Sequence, residues 1–481
     1  MAHGSAWMIG MRWALRLTGF VSTAILARLL LPEDFGIVAM AAIFAGLLDT
    51  AAYTGVDLAL IRGGESSRER LNSAWTIQLL QAAIVAVLLI VVAPAAAGYF
   101  GEPRVEIVML WLAVRSVVDG LRNIGVVAFR KELDFAKEFR FNLYAKTLNL
   151  VVVVAAAVWF RNYLALVVGM VSSAVVGVAL SYAMHPYRPR LSLAAAKGLW
   201  SFSSWLLVSR IGSFLNRKAD QLVVGGVVGT TAIGNYHVAN EFATIPTSEI
   251  VMPIRGALYP TLSRLQDPNA LRDATLQTFG AVAIACFSLG FGLMATAPEF
   301  VVLVLGAQWK AAIPLVEWLA IYGAIAGLAA MLEVPMWVHG KTHVSAIQSW
   351  LELLLLLPLL MVAVRWGGVE GAAMARTAIA AIMLPLMMWL TARACALRFA
   401  DLASAAWRPL AAAILMAVCL RTIVPRFDYA IVALVVKVAL GASVFFVAIL
   451  ALWALSGRPG GFEKVVIERI RSLASARRDR G

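Results

Sequence analysis

Charge, cysteine and long polar stretches are all scarce in this chain. Asp, Glu, Lys and Arg make up 14% of the 481 residues while 62% are hydrophobic, whereas a soluble domain is nearer a quarter charged. The three cysteines, Cys286, Cys395 and Cys419, stand singly in or beside apolar runs. That scatter excludes a disulfide framework and a metal cluster. His339 and His343 flank Gly340-Lys341 in a short loop and lack the glutamate of a zinc helix, so no metal is expected there. The chain has no Gly-x-x-x-x-Gly-Lys-[Ser/Thr] loop, which argues against ATP as the driving ligand. It has no Ser/His/Asp or Cys/His set beyond chance, so neither a catalytic residue nor a cofactor is expected. No polar stretch is long enough to fold as a soluble catalytic domain.

What the chain does have is apolar length, with a mean hydropathy of +0.84. A membrane span needs ~20 apolar residues. By that ruler the sequence predicts an all-α polytopic membrane protein of about fourteen helices, starting near residues 7, 35, 72, 105, 139, 163, 200, 232, 275, 311, 343, 368, 403 and 428. The first apolar stretch, 7–31, is too long for a signal peptide and is expected to remain as helix one. Lys and Arg concentrate in alternate loops, with Arg68, Arg70, Arg130, Lys131, Lys137, Arg140, Arg188, Arg190 and Lys197 on the same side as a basic tail. The positive-inside rule makes that side cytoplasmic, together with both termini. The net charge of +14 then reads as topology and attraction to anionic membrane lipids, with no nucleic acid as partner.

The hairpin 7–61 reappears about 198 residues later at 205–259. Leu29-Leu-Leu-Pro-Glu-Asp-Phe-Gly36 aligns with Val227-Val-Gly-Thr-Thr-Ala-Ile-Gly234, which sets Arg12 opposite Arg210 and Asp57 opposite Arg255. The expected organisation is two six-helix bundles, 1–184 and 200–396, joined by a basic, proline-rich cytoplasmic linker, 185–199. An extra helix pair, 397–456, follows, then a tail, 457–481, whose Phe462, Val466, Ile470 and Leu473 share one helical face. Parallel repeats of this kind, with charge kept near the bilayer core, are a common transporter design.

Several segments carry a resemblance: Gly4-Ser-Ala-Trp7, Ala27-Arg-Leu-Leu-Leu-Pro-Glu-Asp-Phe-Gly36, Tyr99-Phe-Gly-Glu-Pro103, Phe129-Arg-Lys-Glu-Leu-Asp-Phe135, Asp220-Gln221, Gly234-Asn-Tyr236, Tyr259-Pro-Thr-Leu-Ser-Arg-Leu265 and Gly340-Lys341. In this order and spacing the chain resembles the oligosaccharide flippases of the multidrug/oligosaccharidyl-lipid/polysaccharide exporter superfamily, of the colanic-acid and exopolysaccharide (Wzx-like) type. The resemblance implies two bundles around a central cavity. It also implies transfer of an undecaprenyl-diphosphate-linked oligosaccharide to the periplasmic leaflet, in company with polysaccharide polymerase and export machinery. Rival readings are a flippase for the peptidoglycan precursor, a drug exporter of the same superfamily (whose cavity should be acidic), and a membrane polymerase or ligase.

A charge at mid-membrane costs ~2.5–3.5 kcal/mol even on lenient scales, so each one needs a partner or water. Arg12 and Arg16 share a helix face, as do Asp49, Tyr53 and Asp57, and Arg210, Arg217 and Asp220. Arg12 and Asp57 lie at one depth and can neutralise each other. Their repeat counterparts, Arg210 and Arg255, are both basic, so an anion is expected beside them: a residue such as Glu241, or a ligand. The expected diphosphate site is Arg210 and Arg255 with Arg12, Arg16, Arg217, Lys218 and Lys146, and the counter-charges or ion-coupling groups are Asp49, Asp57, Asp220 and Glu241. Self-pairing is expected for Arg115, Asp119 and Arg122, while Glu333 and Glu352 are left either to pair with Arg376 or to carry a proton. Pro246 and Pro253 in helix eight are the expected hinge, because each removes a backbone hydrogen bond.

Overall fold

The computed structural model describes residues 2–56, 59–60, 67–132, 134–196, 204–395, 397–422 and 429–457. The amphipathic tail, Lys197 and Asp57 lie outside the described residues, as does the side chain of Arg12. Each of the fourteen expected helices has a counterpart. They are α1 (Ala2–Leu29), α2 (Pro32–Ala52), α3 (Arg68–Phe100), α4 (Arg104–Gly120), α5 (Phe135–Phe160), α6 (Leu164–Met184), α7 (Ser204–Val227), α8 (Thr230–Leu262), α9 (Pro268–Val304) and α10 (Ile313–Val338). Thr342–Ala394 is broken at Gly368, whose φ of 55° and ψ of −138° leave the helical region, giving α11 (342–367) and α12 (369–394). The last two are α13 (Phe399–Thr422) and α14 (Ala430–Leu455). Helix is the expected state throughout, since a bilayer offers no water to satisfy an exposed backbone. Nine of the described helices, with α11 and α12 taken as one, are long and apolar enough to cross a membrane. The charged helices α7 and α8 are not among these nine.

The chain packs as two compact units, Met1–His237 and Val238–Gly481. In the first, α3 lies against α4, α5 against α6, and α2 against both α4 and α7. Two of the resemblance segments meet here. Gly101 closes α3 in the left-handed region at φ 65°, and Glu102 beyond it accepts from Arg104 Nε at 2.8 Å. Arg104 also pairs with Glu33 at the start of α2. In the second unit α9 is central, packing on α10, α13 and α14 around a core that includes Phe279, Phe287, Leu328, Met387 and Met416. Lys437 in the first third of α14 is neutralised by Glu299 of α9 at 2.5 Å.

The linker stretch 185–196 runs as a strap along the start of α3. Arg190 N donates to Asn72 Oδ1 at 3.0 Å, Ser192 N to Thr76 Oγ1 at 3.0 Å, and Ala195 N to Ser73 Oγ at 3.0 Å. Small polar side chains on α3 thus satisfy backbone that no helix or sheet serves. At the strap's start, Tyr187 N donates to His185 Nδ1 at 3.2 Å. Burial pushes the His185 imidazole below its usual range, because desolvation disfavours the cation. A depressed histidine contributes stability that is complete above the unfolded value, ~6.5, and is lost as pH falls through the folded value. Amide exchange across 185–196, corrected for intrinsic rate, should therefore be faster at mildly acidic pH than above neutrality. The variant His185→Asn should flatten that dependence, and an unchanged acid response in it would remove His185 from the explanation.

Candidate functional site

The repeated hairpins meet at their shared glycines. A Cβ built on Gly36 would lie 1.9 Å from the Thr230 carbonyl oxygen, and one on Gly234 would lie 1.7 Å from that of Pro32. Pro32 and Thr230 occupy the same place in the two copies, so the contact between the starts of α2 and α8 is reciprocal. Small residues permit such backbone-to-backbone approach between membrane helices.

The polar group that the repeat singles out stands where α7 meets the far end of α2. Arg210 on α7 sits with its guanidinium carbon 3.8 Å from the centre of the Tyr53 ring at the end of α2. Among the described residues no carboxylate forms an ion pair with it. A cation–π contact contributes ~0.5–2 kcal/mol and leaves the donors at the guanidinium edge available. Arg217, Arg16, Lys146 and Glu241 all have partners. Lys218 Nζ donates to Gln221 Oε1 at 3.0 Å. Asp220 is buried and accepts from Tyr236 OH at 2.7 Å and from Gln221 N at 2.8 Å. The Asp220-Gln221 and Gly234-Asn-Tyr236 segments are thereby tied to one another. Asp49 has Arg115 and Asp119 as its charged neighbours, and Asp119 pairs with Arg122 as the alternating charges of that segment suggested.

Arg255 meets the expectation of an anion beside it, through a residue other than Glu241. It already has an anion, and that anion is Glu333, at 2.6 Å, with the Trp337 ring 5.0 Å from the guanidinium. Glu333 had two readings from sequence, a partner for Arg376 or a proton carrier. The structure gives it to Arg255, while Arg376 donates to the Tyr322 hydroxyl at 2.8 Å. Pro246 and Pro253 lie inside α8, which continues through both.

Sequence reasoning missed two features. One is the Tyr53 ring as the seat of Arg210. The other is a cavity of about 870 Å³ in the second unit, between α9, α13 and α14, lined almost wholly by apolar side chains such as Leu289, Leu293, Met416 and Phe445, with Pro246 and Lys437 on its wall. The solitary Lys437 in an otherwise apolar helix was the available signal, since such a charge demands a partner.

The chain is 27% identical to the succinoglycan biosynthesis transport protein ExoT of Rhizobium meliloti, over 96% of this chain and 93% of that protein. It is 24% identical to the lipopolysaccharide biosynthesis protein WzxC of Escherichia coli, over 74% of this chain and 73% of that protein. Among solved structures, the lipid II flippase MurJ in its inward closed conformation superposes with a TM-score of 0.73 at 12% identity, covering 94% of this chain and 99% of that one. That likeness establishes a shared fold. The family model described as polysaccharide biosynthesis protein matches residues 25–314, more than half of the 481 residues, and the chain belongs to that family.

Proposed function

We propose that this protein is a flippase that carries polyprenyl-diphosphate-linked oligosaccharide units from the cytoplasmic to the periplasmic leaflet of the bacterial cytoplasmic membrane by alternating access. The observation that carries the reading is Arg210, a cation on an aromatic seat with no carboxylate paired to it among the described residues. A diphosphate brings about two negative charges and accepts the forked hydrogen bonds of a guanidinium. On this reading Arg12, Arg16, Arg217, Lys218 and Lys146 raise the local positive potential, and Arg255 exchanges Glu333 for phosphate during transport. Asp49, Asp57, Asp220 and Glu241 balance the remaining charge. The apolar cavity of the second unit suits a stretch of polyprenyl chain.

The two six-helix halves would move as bodies, with α8 flexing at Pro246 and Pro253 and both termini on the cytoplasmic side. The named roles of ExoT in succinoglycan transport and of WzxC in lipopolysaccharide biosynthesis support an exopolysaccharide or lipopolysaccharide precursor as cargo, delivered to a polymerase. Cells lacking the protein should accumulate lipid-linked units that a membrane-impermeant oxidant cannot reach from outside. Monomeric units collecting on the outer face instead would point to a polymerase and overturn the proposal.

A further inference from the structure

Two polar cavities in the first unit share a wall. One, of about 310 Å³, is lined by Tyr53, Gln78, Gln81, Arg122, Phe141 and Asn142 among others. The other, of about 350 Å³, is reached past Arg122, Phe141 and Asn142 and extends to Asn149. Each is within the size range of ligand sites, ~300–1,000 Å³.

Of the five side-chain amides here, Asn123 is hydrogen-bonded at both ends, and the other four are each anchored at one end by the protein. Gln81 Oε1 accepts from Thr54 Oγ1 at 3.0 Å, and Asn149 Oδ1 accepts from Ser172 Oγ at 2.8 Å. Gln78 Nε2 donates to the carbonyls of Gly120 and Arg122, both at 3.0 Å, and Asn142 Nδ2 donates to that of Glu138 at 2.8 Å. The opposite ends keep their capacity: two amide donors, Gln81 Nε2 and Asn149 Nδ2, and two acceptors, Gln78 Oε1 and Asn142 Oδ1. The anchoring removes the rotational freedom that a ligand would otherwise have to freeze. In the shared wall, Arg122 Nε is buried without a hydrogen-bond partner.

Fixed donors and acceptors side by side match hydroxyl groups, each of which donates and accepts. The rings of Tyr53 and Phe141 add apolar faces of the sort that cover the C–H surface of a sugar ring. Tyr53 is also the ring that seats Arg210. A phosphate held at Arg210 would therefore lie beside a wall residue of the first cavity. We infer that these paired cavities form a saccharide-recognition site inside the first unit, in which Gln78, Gln81, Asn142 and Asn149 hydrogen-bond the glycan hydroxyls and Arg122 Nε donates to a ring or carboxylate oxygen. The inference deepens the flippase reading and rests on it for the identity of the natural glycan.

The test uses the full-length protein in nanodiscs with maltotriose, cellotriose, laminaritriose and trigalacturonate as probes, read by saturation-transfer NMR. At least one trisaccharide should give signal at millimolar concentration, and Asn142→Leu should weaken its binding by about tenfold, the loss of one good hydrogen bond. Asn149→Leu and Gln81→Leu serve as independent variants should the first fail to fold. Farnesyl diphosphate, bound in parallel, reports on Arg210. No trisaccharide binding to the wild-type protein, or binding unchanged in the folded variants, overturns the saccharide site. Trisaccharide binding without farnesyl diphosphate binding would instead sink the diphosphate reading and leave this one standing.

Discussion

Replacing Arg210 with glutamate should abolish polymer export while leaving the protein in the membrane at normal abundance. The residue supplies a guanidinium held 3.8 Å above the Tyr53 ring, and the substitution both removes that contact and presents a carboxylate to an anionic ligand. Losing one partner of a desolvated, hydrogen-bonded charge pair costs ~2–5 kcal/mol of binding, and like-charge repulsion adds to it. A drop in export beyond about thirtyfold is therefore expected, since each 1.4 kcal/mol is tenfold. Arg210→Lys keeps the charge but not the planar fork, so it should retain partial export. Export assays combined with immunoblots of membrane fractions separate function from abundance. Normal export by Arg210→Glu at normal abundance would remove this residue from the mechanism.

The second large effect is structural. Gly36→Val places side-chain atoms where the Thr230 carbonyl oxygen already stands, 1.9 Å from the first added carbon. Backbone cannot yield as a flexible side chain does, so α2 and α8 must separate. Overpacking in a tight core costs ~1–3 kcal/mol, and contact at this distance belongs at the upper end or beyond. The melting temperature of the purified protein should fall by several degrees, with Gly234→Val behaving alike because its own Cβ meets Pro32. Gly98→Ala is the control, since a Cβ there meets nothing within 4 Å. Equal melting of Gly36→Val and Gly98→Ala would show that the close approach of α2 and α8 is not needed for stability.

Much of this was legible in the sequence because it is local. A span announces itself by ~20 consecutive apolar residues, and even the break at Gly368 fell where a helix start had been expected. The repeat pointed to Gly36 and Gly234 as equivalents, yet not to their touching one another. Alternating charges at the end of α4 and just beyond it foretold the Asp119–Arg122 pair, whose members are only three residues apart.

The partners of the remaining charges were not legible. Sequence identified Arg255 as a cation in want of an anion and left Glu241 or a ligand as candidates, whereas packing delivered Glu333. It gave no hint that Arg210 would rest on Tyr53, nor that Lys437 would find Glu299. The sequence by itself determined that helices form, how many there are, and that certain charges must be compensated, because those follow from apolar length and the cost of burying charge. Only the tertiary structure decided which compensates which. Ion pairing and ring contacts act over a few ångströms, and the rotation of each helix about its axis is set by interlocking with its neighbours, so no pattern within one helix specifies which faces will meet.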